Sequence, residues 1–235
     1  MDRPARFALL SAVVCAVMAP ASDLSDLSAQ PATAPVIAVA AFNVHVAPKD
    51  SRDFAGVGTA VAALLATDLG SRAKVRVLDR AQVQRTVGLQ PLDGSGMVGR
   101  DAVVSAGKLL GAQHVIYGGF TADASDNVRL DARGVNVSTG TVEFSERIQG
   151  RGDDIMSLVH QLSSSLIAGM SLPAATGAAS GATSALPLRS LGAYGKALDA
   201  VDRGDRAHAQ ALLATVLRDH PDFAPAKSAM GGLKP

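Results

Sequence analysis

From Val36 to Met170 the apolar pattern alternates between short extended runs and helical spacing, which restricts the chain to folds that pack helices on a sheet. Val36-Ile37-Ala38-Val39-Ala40-Ala41-Phe42 is apolar throughout, as suits a central strand covered on both faces. Val57, Val61, Leu64, Leu65 and Leu69 then recur on one helical face, with Ser51 or Asp53 as the expected cap and Gly70 as the stop. Val75 to Leu78 reads as a second strand, and Asp79 as the cap of a helix carrying Val83 and Val87. Gly88 to Arg100 is a Gly-rich loop with Pro91 and Asp93-Gly94 as turn signals. Asp101 is expected to cap a helix bearing Val103, Ala106, Gly107 and Leu110, which Gly111 ends before a third strand at Val115 to Thr121.

A meander follows. Val128, Leu130 and Ala132 alternate with polar residues, and so do Val135 and Val137, but the phase slips at Gly134. A bulge there would return both halves to one face. Thr139-Gly140 marks a turn, and Val142, Phe144 and Ile148 alternate with Glu143, Ser145, Arg147 and Gln149 on a strand with one wet face. Asp153 or Asp154 caps a last helix whose stripe is Ile155, Leu158, Val159, Leu162, Leu166 and Met170. The expected class is α/β. A mixed sheet of about five strands has helices packed on it in the order β-α-β-α-α-β-β-β-α, and a C-terminal helical hairpin follows.

The N-terminus has the features of a secretory signal. Arg3 and Arg6 precede the apolar run Phe7 to Met18, and Ala19-Pro20-Ala21 is a small-residue cleavage site before Ser22. Cys15, the single cysteine, lies inside that run after Val13-Val14, which is no lipid-anchor signal. The expected organisation is a signal peptide at 1–21, a flexible leader at 22–35 and an α/β domain at 36–170. An Ala/Gly/Pro/Ser-rich linker at 171–187 and a helical hairpin at 188–235 complete it. The implied location is the periplasm or the outer envelope, with no membrane-spanning segment after signal cleavage. Without residues 1–21, which contain Asp2, Arg3 and Arg6, acidic and basic residues balance. That balance, with no Trp and two Tyr, argues against a nucleic-acid partner and against stacking platforms for bases or sugars.

Gly56-Val57-Gly58-Thr59-Ala60-Val61-Ala62-Ala63-Leu64-Leu65-Ala66-Thr67-Asp68-Leu69, Val75-Arg76-Val77-Leu78-Asp79-Arg80-Ala81-Gln82-Val83-Gln84-Arg85 and Leu109-Leu110-Gly111-Ala112-Gln113-His114-Val115-Ile116-Tyr117-Gly118 follow one another in a familiar order. So does the hairpin from Leu130 to Val142 with its Thr-Gly turn. Over Val36 to Met170 the chain resembles the CsgG/FlgO-like envelope family, which includes the N-terminal domain of TolB. The resemblance implies an extracytoplasmic, mostly non-enzymatic protein concerned with envelope assembly or export. Two departures stand out. The secretion-channel branch is lipidated, and its subunits insert β-hairpins as membrane strands, whereas Arg129, Asp131 and Arg133 here would place charge where such strands face lipid. Gly204-Asp205, Ala209, Leu213 and Pro221 resemble one tetratricopeptide repeat, although one repeat forms no peptide groove.

No reaction is named by the residues. Gly56-Val57-Gly58 lacks the third glycine and the adjacent strand of a dinucleotide fingerprint. Arg151-Gly152-Asp153 reads as a turn and cap, and Asn136-Val137-Ser138 falls in a strand. The five histidines show no metal-ligand spacing, and Asp123, Asp126 and Asn127 read as a solvated turn. No catalytic residue, cofactor or metal site is expected. Arg80, Gln82, Gln84 and Arg85 cluster beside the Gly-rich loop; of these, Arg80, Gln84 and Arg85 are the candidate partner-contact residues. The leading expectation is a binding protein of the envelope whose partner is another envelope protein or a second copy of itself. The alternative is a periplasmic small-ligand receptor with a pocket beside Asn43 to Phe54.

Overall fold

The computed structural model describes residues 34–46, 54–87, 99–175 and 186–233. The signal peptide, nearly all of the leader, the caps Ser51 and Asp53, and most of the Gly-rich loop and linker lie outside them.

The strands are β1 (Val36–Val39), β2 (Asn43–His45), β3 (Arg76–Val77), β4 (His114–Ala122), β5 (Asn127–Asn136) and β6 (Val142–Arg151). The helices are α1 (Val57–Arg72), α2 (Arg80–Val87), α3 (Arg100–Leu110), α4 (Ile155–Gly169), α5 (Leu188–Asp202), α6 (Arg206–Asp219) and α7 (Ala224–Gly232). One mixed six-stranded sheet runs in the order β3-β1-β4-β5-β6, with β2 pairing β4 beyond the end of β1. β3, β1, β2 and β4 are parallel neighbours, and β4-β5-β6 form the antiparallel meander. This is the expected α/β architecture with one more strand and one more C-terminal helix. The extra strand arises because the apolar run from Val36 is broken: Phe42 donates its N–H to the Gly58 carbonyl at 3.2 Å, away from the sheet. The chain then rejoins β4 as β2.

Local signals set several boundaries. Asp79 accepts the Gln82 N–H at 2.9 Å at the start of α2, and Gly111 ends α3 with φ 66°. Asp205 accepts the His208 N–H at 3.1 Å and caps α6. Other expectations shift. Gly70 lies inside α1, which runs to Arg72; Gly99 occupies the cap of α3, with Asp101 in its first turn. Asp154 stands at the cap of α4 without a side-chain hydrogen bond. Where a linker is expected, Pro173 and Ala175 bond to the end of α1, through Lys74 N to Pro173 O at 2.6 Å and Ala175 N to Arg72 O at 2.8 Å.

The phase slip in β5 has another cause than the one expected. Val128, Leu130 and Ala132 enter the larger core beneath α1 and α4, whereas Val135 and Val137 enter a second core beneath α2 and α3. The two halves of the strand therefore face opposite sides. The register shift at Gly134/Val135 sits between β5 and β6, and it leaves Glu143 of β6 as the extra residue.

The larger core extends beyond the sheet. Val57, Val61 and Leu65 of α1 share one cluster with Leu191, Tyr194 and Leu198 of α5 and with Leu213 and Phe223. Tyr194 meets Phe223 edge-on at 5.1 Å, and burial raises its hydroxyl pKa to about 12. Backbone approach is closest where α1 begins. A Cβ on Gly195 would lie 1.8 Å from the Gly56 carbonyl oxygen, and one on Gly58 would lie 1.8 Å from that of Phe42. The Gly-Val-Gly sequence thus lets the start of α1 touch α5 on one side and the end of the broken strand on the other.

Candidate functional site

The polar residues of α2 divide by direction. Arg80 forms an ion pair with Asp202 of α5, with Nη2 donating to Oδ1 at 2.9 Å and Nη1 also bound to the carboxylate. Arg80 Nη2 also donates to the Leu198 carbonyl at 3.3 Å. Its guanidinium is therefore committed to an internal seam. Gln84 is half-buried, and Arg85 is exposed with no carboxylate partner among the described residues. Of the three expected contact residues, Arg85 is exposed, Gln84 is half-buried one turn on from Arg80, and Arg80 holds α2 to the C-terminal helices.

Beside Arg80 lies a second polar tie. Thr59 of α1 donates its hydroxyl to Asp199 of α5 at 2.9 Å. Desolvation pushes the Asp199 carboxyl above the ordinary carboxylate value, opposed by the Thr59 hydrogen bond and by Arg80. Neither tie has a local sequence signal, because each joins positions more than a hundred residues apart.

Among the described residues, the sheet face opposite α1 and α4 is covered for only part of its area. α2 and α3 seal Ala38, Ala40, Val115, Tyr117, Val135 and Val137. Further along the strands, His45, Gly119, Thr121, Arg129, Asp131, Arg133, Ser145 and Arg147 line an open concavity of about 630 Å³. Asp131 accepts the Nε–H of Arg129 at one carboxylate oxygen and that of Arg147 at the other, each at 2.7 Å. A second concavity, of about 480 Å³, lies among Phe54, Asp123, Asp126, Gly152, Asp153 and Leu188 to Ser190. These two hollows adjoin the described ends of the segment where a ligand pocket is expected; residues 47–53 lie outside the described residues.

Several of the remaining sequence candidates lie against structural neighbours. Asp123 closes its own turn by accepting from Ser125 N, Asn127 N and Asn127 Nδ2. The Asn127 bonds come first in holding its carboxyl below the ordinary value. His160 Nδ1 lies 3.3 Å from Asp68, His114 Nδ1 lies 3.3 Å from Glu143, and His220 Nε2 lies 2.9 Å from Ser190. Among the described residues no cluster of His, Cys, Asp and Glu is built to hold a metal, and no helix is long and apolar enough to cross a membrane.

Residues 18–123 match the family model described as curli production assembly/transport component CsgG. This stretch is CsgG-like. The match runs through β1, β2, α1, β3, α2, α3 and β4, so the CsgG-like segment contributes the parallel half of the sheet and one side of the glycine seam. Solved structures similar to the chain include the LpoB C-terminal domain from Salmonella enterica, at 20% identity and TM-score 0.36, over 53% of this chain and 89% of that one. Lipoprotein GNA1162 from Neisseria meningitidis is similar at 18% identity and TM-score 0.38, over 58% of this chain and 96% of that one. TolB from Acinetobacter baumannii is similar at 15% identity and TM-score 0.41; the match covers 58% of this chain but only 28% of TolB. No curated protein matches the chain.

Proposed function

We propose that the protein is an exported, non-enzymatic interaction protein of the bacterial envelope, assisting assembly or export by binding another protein. The observation that carries this reading is the CsgG family match over 18–123, whose description is one of assembly and transport. The secretory features of residues 1–21 support export, and the exposed side chain of Arg85 supports α2 as a contact surface on a packed scaffold. Arg80 supports that surface from behind, by fixing α2 to α5.

The reading is tested with a photo-crosslinking residue at Arg85 of the full chain in the producing bacterium, with the same residue at Arg218 as control. An adduct to one envelope protein or to a second copy, formed at Arg85 and not at Arg218, is the expected result. Equal adducts at both positions, or none at Arg85, would overturn α2 as the contact.

A further inference from the structure

The chain's formal charge of +1 conceals a face on which arginines outnumber carboxylates. Alternation places Arg129, Asp131 and Arg133 of β5 on one side of the sheet, and the β5-β6 register sets Arg147 opposite Asp131 and Ser145 opposite Arg133. On the other neighbour, Gly119 of β4 stands opposite Asp131. A Cβ on Gly119 would meet Asn43 O and His45 Nδ1 at 3.7 Å, so the glycine forms the floor of the concavity and His45 borders it.

Asp131 holds the two flanking guanidiniums by their Nε atoms, which leaves the Nη donors of Arg129 and Arg147 for other partners. Arg129 and Arg147 are 42% and 60% exposed, so the triad is solvated. Arg133 is exposed and has no carboxylate partner among the described residues. Glu146 also borders the concavity, but its carboxylate is engaged away from the arginines, where it accepts from Ser165 of α4 at 3.0 Å. Three arginines thus surround one carboxylate.

We propose that this open half of the sheet is the docking surface for an extended acidic segment of the protein partner. The proposal rests on the interaction reading above and names the chemistry of the partner. Guanidinium forks on alternate residues of adjacent strands match carboxylates on alternate residues of an extended chain, since each fork can take a carboxylate in bidentate fashion. Small-molecule pockets are enclosed and mostly apolar, whereas this surface is shallow and polar. A single-stranded nucleic acid held by base stacking would need exposed aromatic rings, and Tyr117, the aromatic beside this face, is buried under the neighbouring helices.

The test is an anisotropy titration of the full chain with a labelled alternating Glu-Gly peptide, and with a Lys-Gly peptide as the opposite charge. The wild type should bind the first and not the second. Arg133→Glu with Arg147→Gln should weaken binding roughly tenfold, the effect of losing two solvated charge contacts. Arg206→Glu with Arg218→Gln, which changes the net charge equally on exposed residues of α6, should leave it unaltered. Asp131→Asn should tighten binding, an outcome that a merely structural role for the triad would not give. No binding by the wild type, equal weakening by the α6 pair, or weaker binding by Asp131→Asn would overturn the proposal. Equal displacement by inorganic phosphate would overturn it in favour of a simple anion site. A photo-crosslinking residue at Ser145 separates the two readings: an adduct at Arg85 without one at Ser145 leaves the interaction reading intact and removes this face from it.

Discussion

The two faces of the sheet use the same strands for opposite ends. On one face, Leu130, Ala132 and Ile148 are sealed beneath α1 and α4, and the core continues through α1 into α5 and α6. On the other, α2 and α3 cover one half, and the rest carries Arg129, Asp131, Arg133 and Arg147 in water. β5 passes from one regime to the other at Gly134, where its apolar residues change sides. The lesson is that a strand's periodicity reports what covers it, and a change of phase can mark the edge of a covering helix as well as a bulge.

If that contrast is correct, substitutions on the closed face should be far costlier than those on the open one. The largest effect is expected from Gly195→Ala, whose added methyl would collide with the Gly56 carbonyl and force α5 away from α1. A loss of about 3 kcal/mol or more in urea unfolding is expected. A loss below about 1 kcal/mol would mean that the seam yields and that the closed face is not tightly built.

Arg80→Ala should follow, at about 2 kcal/mol, because it leaves the Asp202 carboxylate, 13% exposed, without its cation. Arg80→Lys should recover part of this loss as a point charge without the paired bonds. An Arg80→Ala variant as stable as wild type would return Arg80 to the surface group of α2.

Asp199 gives a pH-dependent probe of the same seam. Its folded carboxyl is raised above 3.8, mainly by desolvation. Its contribution is therefore fully present below 3.8 and lost as pH rises through the folded value. Asp199→Asn keeps an oxygen for the Thr59 hydroxyl and removes that loss. Its stability relative to wild type should climb across this window in melts at matched ionic strength, and a constant difference would show that burial does not govern the group.

On the open face the expected effect is smallest. Arg133→Glu should change unfolding stability by no more than about 0.5 kcal/mol, as for an exposed substitution without a structural partner. A larger loss would show that this half of the face serves the fold, and would dissolve the contrast between the two sides.

Chain order, strand and helix types and most of the core were legible in the residues. The helical stripe of α1 and the alternation in β5 are local consequences of periodicity, and the caps at Asp79 and Gly111 are local consequences of backbone geometry. The cluster on α2 was legible only as polarity. Sequence spacing does not say that Arg80 turns inward, since its partner Asp202 lies 122 residues away. Nor does it say that Gly58 answers to Phe42 and Gly56 to Gly195, because those approaches appear only when α1, α5 and the broken strand converge. The wet side of β5 was visible as charge, yet its character as an arginine-rich surface depends on strand register, which brings Arg147 to Asp131. Spacing along the chain is enough to say which segments are helices or strands and which sides are apolar. Which polar groups the seam consumes, and which stay exposed, follows from contacts between elements distant in sequence, and no local pattern encodes those.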